Sequence, residues 1–204
     1  MMHHKPEIHV EELKKDKEFL ANIKRLEAEC KEQESVAKGY QLLDAQLIIE
    51  AAEDEINEIF TFIVNTAFDK LAQKLSTDTA LFMDDDEDRA VARAIYEHGM
   101  QLYSENNQKG AKEIFLILSY VIDKLSLKDA MLLHAAVVIS GKSFDDFIAQ
   151  YVDVEQVDID DPLAFFVQTF TFSISEMFDL FVEEVALGRK EIEVFATSQK
   201  GYKE

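Results

Sequence analysis

Residues 96–115 read YEHGMQLYSENNQKGAKEIF. Tyr96, Gly99, Leu102 and Tyr103 recur at the three- and four-residue steps of one helical face, and Ala111 and Phe115 continue the pattern in a second helix. Gly99 is the small residue that lets two helix backbones approach closely. Ala111 does the same from the other side, and Phe115, four residues later, fills the gap beside them. Helical hairpins closed in this way stack into curved arrays whose concave face holds a peptide. The chain therefore reads first as a binding protein.

The rest of the sequence agrees with helices. Six glycines and two prolines in 204 residues leave few turn signals for an all-β fold, and a hydrophobic fraction of 48% excludes general disorder. That length buries a real core. No apolar run approaches the roughly 18 residues of a membrane span. The opening MMHHKPEIHVEELKKDKEF has no apolar core and no cleavage site, so export through a signal peptide is not expected. Cys30 is the single cysteine and has no partner for an internal disulfide; a reducing compartment fits. Forty-one acids against twenty-one bases give a net charge of -20, which repels nucleic acid and anionic membranes. Such a surface also keeps a protein soluble while it carries an apolar client, although a merely soluble acidic surface explains the same charge.

Ahead of the hairpin, residues from about Glu11 to Lys38 place Leu13, Leu20, Ile23, Leu26 and Cys30 in a narrow apolar stripe on a polar helix. Gly39 is expected to break it, with Asp44 as the N-cap of the next. From Asp44 to Leu75, Ile48, Ala52, Ile56, Ile59, Ile63, Ala67, Leu71 and Leu75 keep helical spacing, widened by Phe60, Phe62 and Phe68. About thirty residues would span about 45 Å, so a break inside this stretch is expected. The acids at 84–88 suit a helix start; a calcium loop would need a central glycine that is absent. Asp158, Asp160 and Asp161 likewise precede Pro162 at an expected helix start. Ser140-Gly141-Lys142-Ser143 lacks the upstream glycine of a phosphate loop and reads as a turn. His98 and His134 read as satisfied helix residues, and His3 and His4 are given no metal role.

A second hairpin is expected about 36 residues on. Ala135 takes the small position, SGKSFDDF makes the turn, and Phe147 and Tyr151 repeat the four-residue spacing. A third is expected to open at Pro162, with Phe165, Phe166 and Phe170 on its first helix and Phe178, Phe181 and Val185 on its second. Taken in order, these residues resemble the tetratricopeptide class II translocator chaperones of type III secretion, the LcrH/SycD type. Tyr96, Gly99 and Tyr103 match the family's Tyr-x-x-small-x-x-x-Tyr, and Ala111 and Phe115 its Ala-x-x-x-Phe. Tyr151 followed by Asp158-Ile159-Asp160-Asp161-Pro162 matches its Tyr and Asp-Ile-x-x-Pro, with Phe166 four residues beyond the proline. Leu75-Ser76-Thr77-Asp78-Thr79 is similar to its entry into the first repeat. Phe147 and Phe181 depart from the alanine-like positions, Val167 stands where the family often has His, and residues 1 to about 65 exceed its short N-terminal helix.

The expected architecture is all-α: about three tetratricopeptide-like hairpins in a curved array (77–190), behind a long N-terminal helical extension (1–76) and before a tail (191–204). First helices line the concave face of such arrays. Counting from Gly99, Ala135 and Thr169 places Tyr96, Met100, Tyr103, Leu132, Ala136, Ile139, Phe166, Phe170 and Ser173 in the partner-binding groove, against the plainer reading that some fill the core between hairpins. Truncating Tyr96 and Phe166 together is then expected to weaken binding far more than stability.

The resemblance implies a bacterial cytoplasmic chaperone that holds a hydrophobic translocator segment in this groove before export. The sequence holds no His-Glu-x-x-His, nucleophile elbow or glycine-rich phosphate loop, and with its charge no catalytic residue, cofactor, metal, nucleic acid or stable membrane insertion is expected. The resemblance also implies a homodimer in the absence of client, with Ile56, Ile59, Phe60 and Ile63 at or near the contact; the competing arrangement folds that helix back over its own repeats. Two other functions stay open: a tetratricopeptide-like adaptor or regulator outside secretion, and an all-helical enzyme or small-ligand sensor using the Phe-rich third unit.

Overall fold

A computed structural model describes residues 10–156 and 160–201. The protein is all-α: ten helices among the described residues, packed as sequential antiparallel pairs. They gather into two compact units, Met1–Thr66 and Ala67–Glu204.

The first unit contains α1 (Val10–Leu13), α2 (Lys17–Glu32), α3 (Val36–Ile48) and the opening of α4 (Glu53–Thr77). Asp16 caps α2, its carboxylate accepting from the backbone N–H groups of Glu18 and Phe19 at 2.8 and 3.1 Å. Of the α2 stripe, Ile23 and Cys30 are buried. The chain turns at Glu34, which takes a left-handed φ of 47°, and Ser35 caps α3 through Lys38 N–H.

Gly39 therefore lies inside a helix and breaks nothing. A methyl group on it would stand 2.7 Å from Ile63 Cγ1 and 3.7 Å from Cys30 Sγ, so its missing side chain is what lets α3 approach α4. Asp44 is mid-helix rather than an N-cap. The break expected in the long periodic stretch is present, and falls at Glu50, whose φ is 51°.

The second unit begins with the latter part of α4, from which Ala67 and Leu71 enter the core. The acidic run acts as a cap: Asp85 accepts from Asp88 N–H at 2.8 Å to start α5 (Asp86–Ser104). Asp88, only 8% exposed, meets Lys74 Nζ at 2.6 Å and accepts from Phe82 N–H at 3.0 Å, which ties the approach segment to α4.

α5 and α6 (Gln108–Val121) form the hairpin that residues 96–115 predict, and α7 (Leu125–Ile139) packs on α6. Residues 140–143 turn through Gly141 (φ 78°) into α8 (Phe144–Tyr151). α9 (Ile174–Leu180) and α10 (Val182–Gly201) follow, α10 lying against α7 and α6. Residues 191–201 thus continue a helix.

The third hairpin departs from expectation. Pro162 opens no helix, and residues 160–173 contain none. Asp161 instead accepts from Leu163 N–H at 2.8 Å in a side-chain turn. From Val167 onward the chain is extended and pairs with the end of α8: Asp153 N–H donates to Thr169 O at 3.0 Å and Thr171 N–H to Tyr151 O at 2.9 Å, with an isolated antiparallel bridge between Val152 and Phe170. FFVQTFTF, residues 165–172, is rich in aromatic and β-branched residues that favour an extended backbone over a helix once a pairing partner is in place. Phe178, Phe181 and Val185, expected on one helix, fall on α9, on the break at Phe181 and on α10.

Candidate functional site: an aromatic face covered by an extended segment

One face of α5 and α7 carries a cluster of rings. Helical spacing brings Tyr96 and Tyr103 of α5 to the same side, and His134 rises from α7 between them and α8. The Tyr96 ring lies 5.5 Å from His134, 6.1 Å from Phe115 and 5.2 Å from Phe166. His134 in turn lies 4.8 Å from Phe147, 5.1 Å from Phe115 and 6.0 Å from Phe170. Tilted and edge-on geometries prevail, the arrangement ring quadrupoles favour.

A chain of hydrogen bonds runs through the centre. Val167 N–H donates to the Tyr96 hydroxyl at 3.1 Å, and the two heteroatoms Tyr96 Oη and His134 Nε2 are 3.1 Å apart. His134 Nδ1 is 2.7 Å from Ala130 O. A carbonyl accepts only, so Nδ1 carries the proton and Nε2 accepts from the Tyr96 hydroxyl. His134 is thus the satisfied core histidine its sequence context suggests. Among the described residues no buried side-chain polar atom lacks a partner.

Burial sets the proton affinities. It pushes the Tyr96 hydroxyl far up and the His134 imidazole down to about 4, the latter against the opposing pull of Ala130 O. Tyr103 is pushed up to about 12 by burial first and by the Asp146 charge second. Its hydroxyl serves Lys142 O at 2.8 Å and Ser143 O at 3.1 Å, closing the α7–α8 turn onto α5.

Because His134 is held neutral, its contribution to stability is complete above its unfolded value of about 6.5 and is lost as pH falls toward 4. Denaturant unfolding of the wild type is expected to weaken between pH 6.5 and 5 by up to about 1.4 kcal/mol per pH unit more than that of His134→Phe. Parallel slopes for the two proteins would show that His134 is not held neutral.

Residues 160–172 lie over this face. Leu163, Phe166 and Phe170 are buried, while Phe165 is 50% and Phe172 46% exposed. Arg93 of α5 sets its guanidinium 3.7 Å from the Phe165 ring centre and pairs with Glu97 at 2.8 Å. Thr169 Oγ1 donates to Asp153 O at 2.9 Å.

The residues expected to line an open groove are therefore distributed differently. Tyr96, Phe166 and Phe170 do come together, as a closed cluster. Tyr103 is buried beside Phe144 and Phe147, at 5.6 and 6.0 Å. Leu132, Ala136 and Ile139 share the other side of α7: a methyl group on Gly188 of α10 would stand 3.1 Å from Leu132 Cδ1 and 3.9 Å from Ile139 Cδ1. Met100 is half-buried, and Ser173 is exposed as the cap of α9, in a reciprocal box with Glu176. His134 is what the groove count omits. No signal in the sequence marks it, since residues 130–138 are buried on every side of α7.

In the first unit Ile63 is fully buried on Gly39. Ile59 borders a cleft of about 270 Å³ with Cys30, Leu42 and Phe62, Ile56 is half-buried, and Phe60 is 37% exposed. Among the described residues no group of three or more His, Cys, Asp or Glu is placed to hold a metal ion, and no helix is long and apolar enough to cross a membrane. His3, His4, Asp158 and Ile159 lie outside the described residues.

No protein-family model, no curated protein and no solved structure matches the chain.

Proposed function

We propose that this protein binds an extended apolar segment of another protein on the α5–α7 face, as a chaperone of the tetratricopeptide translocator type, in the bacterial cytoplasm. One observation carries the reading: a non-helical, aromatic stretch of chain already lies on that face, with Val167 N–H on the Tyr96 hydroxyl and Phe166 on the Tyr96 ring. A surface that holds one such segment has the chemistry to hold another: rings for the side chains and a hydroxyl for the backbone. The close α5–α6 hairpin at Gly99 and the charge of -20 favour the same role, the charge by keeping a complex with an apolar client dispersed.

Co-expression with large proteins encoded beside it that carry paired membrane segments, followed by affinity purification, tests this. A soluble complex is expected. Recovery of the chain alone, with the client insoluble, would overturn the reading.

Dimerisation belongs to the same proposal. Phe60 is exposed, and Ile56 and Ile59 are half-buried, which leaves apolar area for a second copy; Ile63 is occupied inside its own unit. Light scattering is expected to give a dimer for the full chain without client at tens of micromolar and a monomer for Phe60→Asp. A monomer in both removes the dimer.

A further inference from the structure

Residues 160–172 contact the α5–α7 face through features a separate peptide would also possess. Two backbone hydrogen bonds join Thr169 and Thr171 to Asp153 and Tyr151, one backbone N–H reaches the Tyr96 hydroxyl, and three apolar side chains turn inward at Leu163, Phe166 and Phe170. Main-chain bonds of this kind accept any extended backbone, while the pockets for alternate side chains select among sequences. The contacts that build the face itself are separate: α5 packs on α6, and α6 on α7, without this stretch. Its outer side shows a further sign of incomplete incorporation, with Phe165 and Phe172 half in solvent and the Arg93 guanidinium lying over the Phe165 ring.

We propose that residues 160–172 are an internal occupant of the client face, and that the partner is an extended protein segment with large apolar side chains at the i, i+3, i+7 spacing of Leu163, Phe166 and Phe170, which takes their place. This rests on the reading of the α5–α7 face as the binding surface, and adds what the ligand looks like and what it must displace. A tethered competitor acts at an effective concentration in the millimolar range, so the intact chain binds a matching segment more weakly than its bare face would. The occupant also shields the rings around His134 from water and from other copies while no client is present.

The test uses a fluorescent peptide of residues 160–172 and the full chain. Anisotropy is expected to show binding to the Phe166→Ala, Phe170→Ala double variant about tenfold or more tighter than to the wild type. A peptide with alanine at the positions of Leu163, Phe166 and Phe170 is expected to bind neither. Equal affinity of the first peptide for both proteins would overturn the proposal.

Should the double variant not fold, amide exchange on the wild type decides. Val167 and Thr171 N–H groups are expected to exchange through an opening much less costly than the one that exposes the α5–α7 amides. Exchange of Val167 only with global unfolding would overturn the internal occupant, leaving client binding elsewhere on the chain to the co-purification above. Local opening combined with no peptide binding to either protein would overturn the assignment of this face, and with it the function proposed for it.

Discussion

Gly99→Leu is expected to destabilise the second unit by about 3 kcal/mol or more, a large part of the 5–15 kcal/mol that holds a typical domain. Even a methyl group at this position would stand 2.7 Å from Ile114 Cγ2, 3.1 Å from Phe115 Cε1 and 3.3 Å from Ile114 Cβ. Neither neighbour gives easily. Ile114 is β-branched and has few rotamers in a helix, and Phe115 is fully buried against Tyr96 and His134. Replacing a mid-helix glycine returns at most about 1 kcal/mol of helix propensity, so strain prevails. Gly99→Ala should sit between wild type and Leu. Chemical denaturation followed by circular dichroism measures the series. A Gly99→Leu protein with the wild-type midpoint would mean that α5 and α6 are not in this close contact, and the hairpin reading would fail at its strongest point.

Tyr96→Ala is expected to cost about 3–5 kcal/mol for the lost ring. The sequence alone suggested the opposite balance, with Tyr96 and Phe166 as groove anchors whose truncation affects binding rather than stability. Tyr96 is 2% and Phe166 3% exposed with residues 160–172 in place, and Tyr96 also packs on Phe115 and His134, so its truncation costs stability as well as binding. Removing the side chain leaves a cavity bounded by Phe115, His134 and Phe166, and strips partners from His134 Nε2 and Val167 N–H. Each orphaned polar group costs about 1–3 kcal/mol. Tyr96→Phe isolates that second part: it keeps the ring, orphans both groups and is expected to lose about 2–6 kcal/mol. Denaturant midpoints for the pair separate ring from hydroxyl. A Tyr96→Ala protein as stable as the wild type would place the side chain in solvent and restore the open groove.

Several features of the fold were legible because their causes are local. Asp85 caps α5 because a carboxylate beside free N–H groups needs no distant partner. Gly141 turns because its φ is open to glycine. The α5–α6 hairpin is written in Gly99, Ala111 and Phe115, whose sizes alone specify a close contact. Other features hid in the same residue types. Gly39 looks like a breaker in isolation, and only the presence of Ile63 opposite it makes the missing side chain a packing device. Asp44 and Pro162 carry start signals that their surroundings override.

The candidate site divides along the same line. Counting along expected hairpins placed Tyr96, Phe166 and Phe170 on one surface, and they do meet as a cluster, although residues 160–173 form no helix. Which side of α7 meets that surface was decided only in three dimensions. Residues 130–138 are buried on every side of that helix, so no polar stripe marks its register, and His134 faces the rings while Leu132 and Ile139 face α10. The state of residues 160–173 was also decided there. A short apolar run serves helix or strand equally well by its own periodicity, and the choice fell to the backbone groups that Tyr151 and Asp153 present at the end of α8. Helix positions follow from contacts a few residues apart, whereas the covering of a face depends on which distant backbone arrives with hydrogen bonds to satisfy.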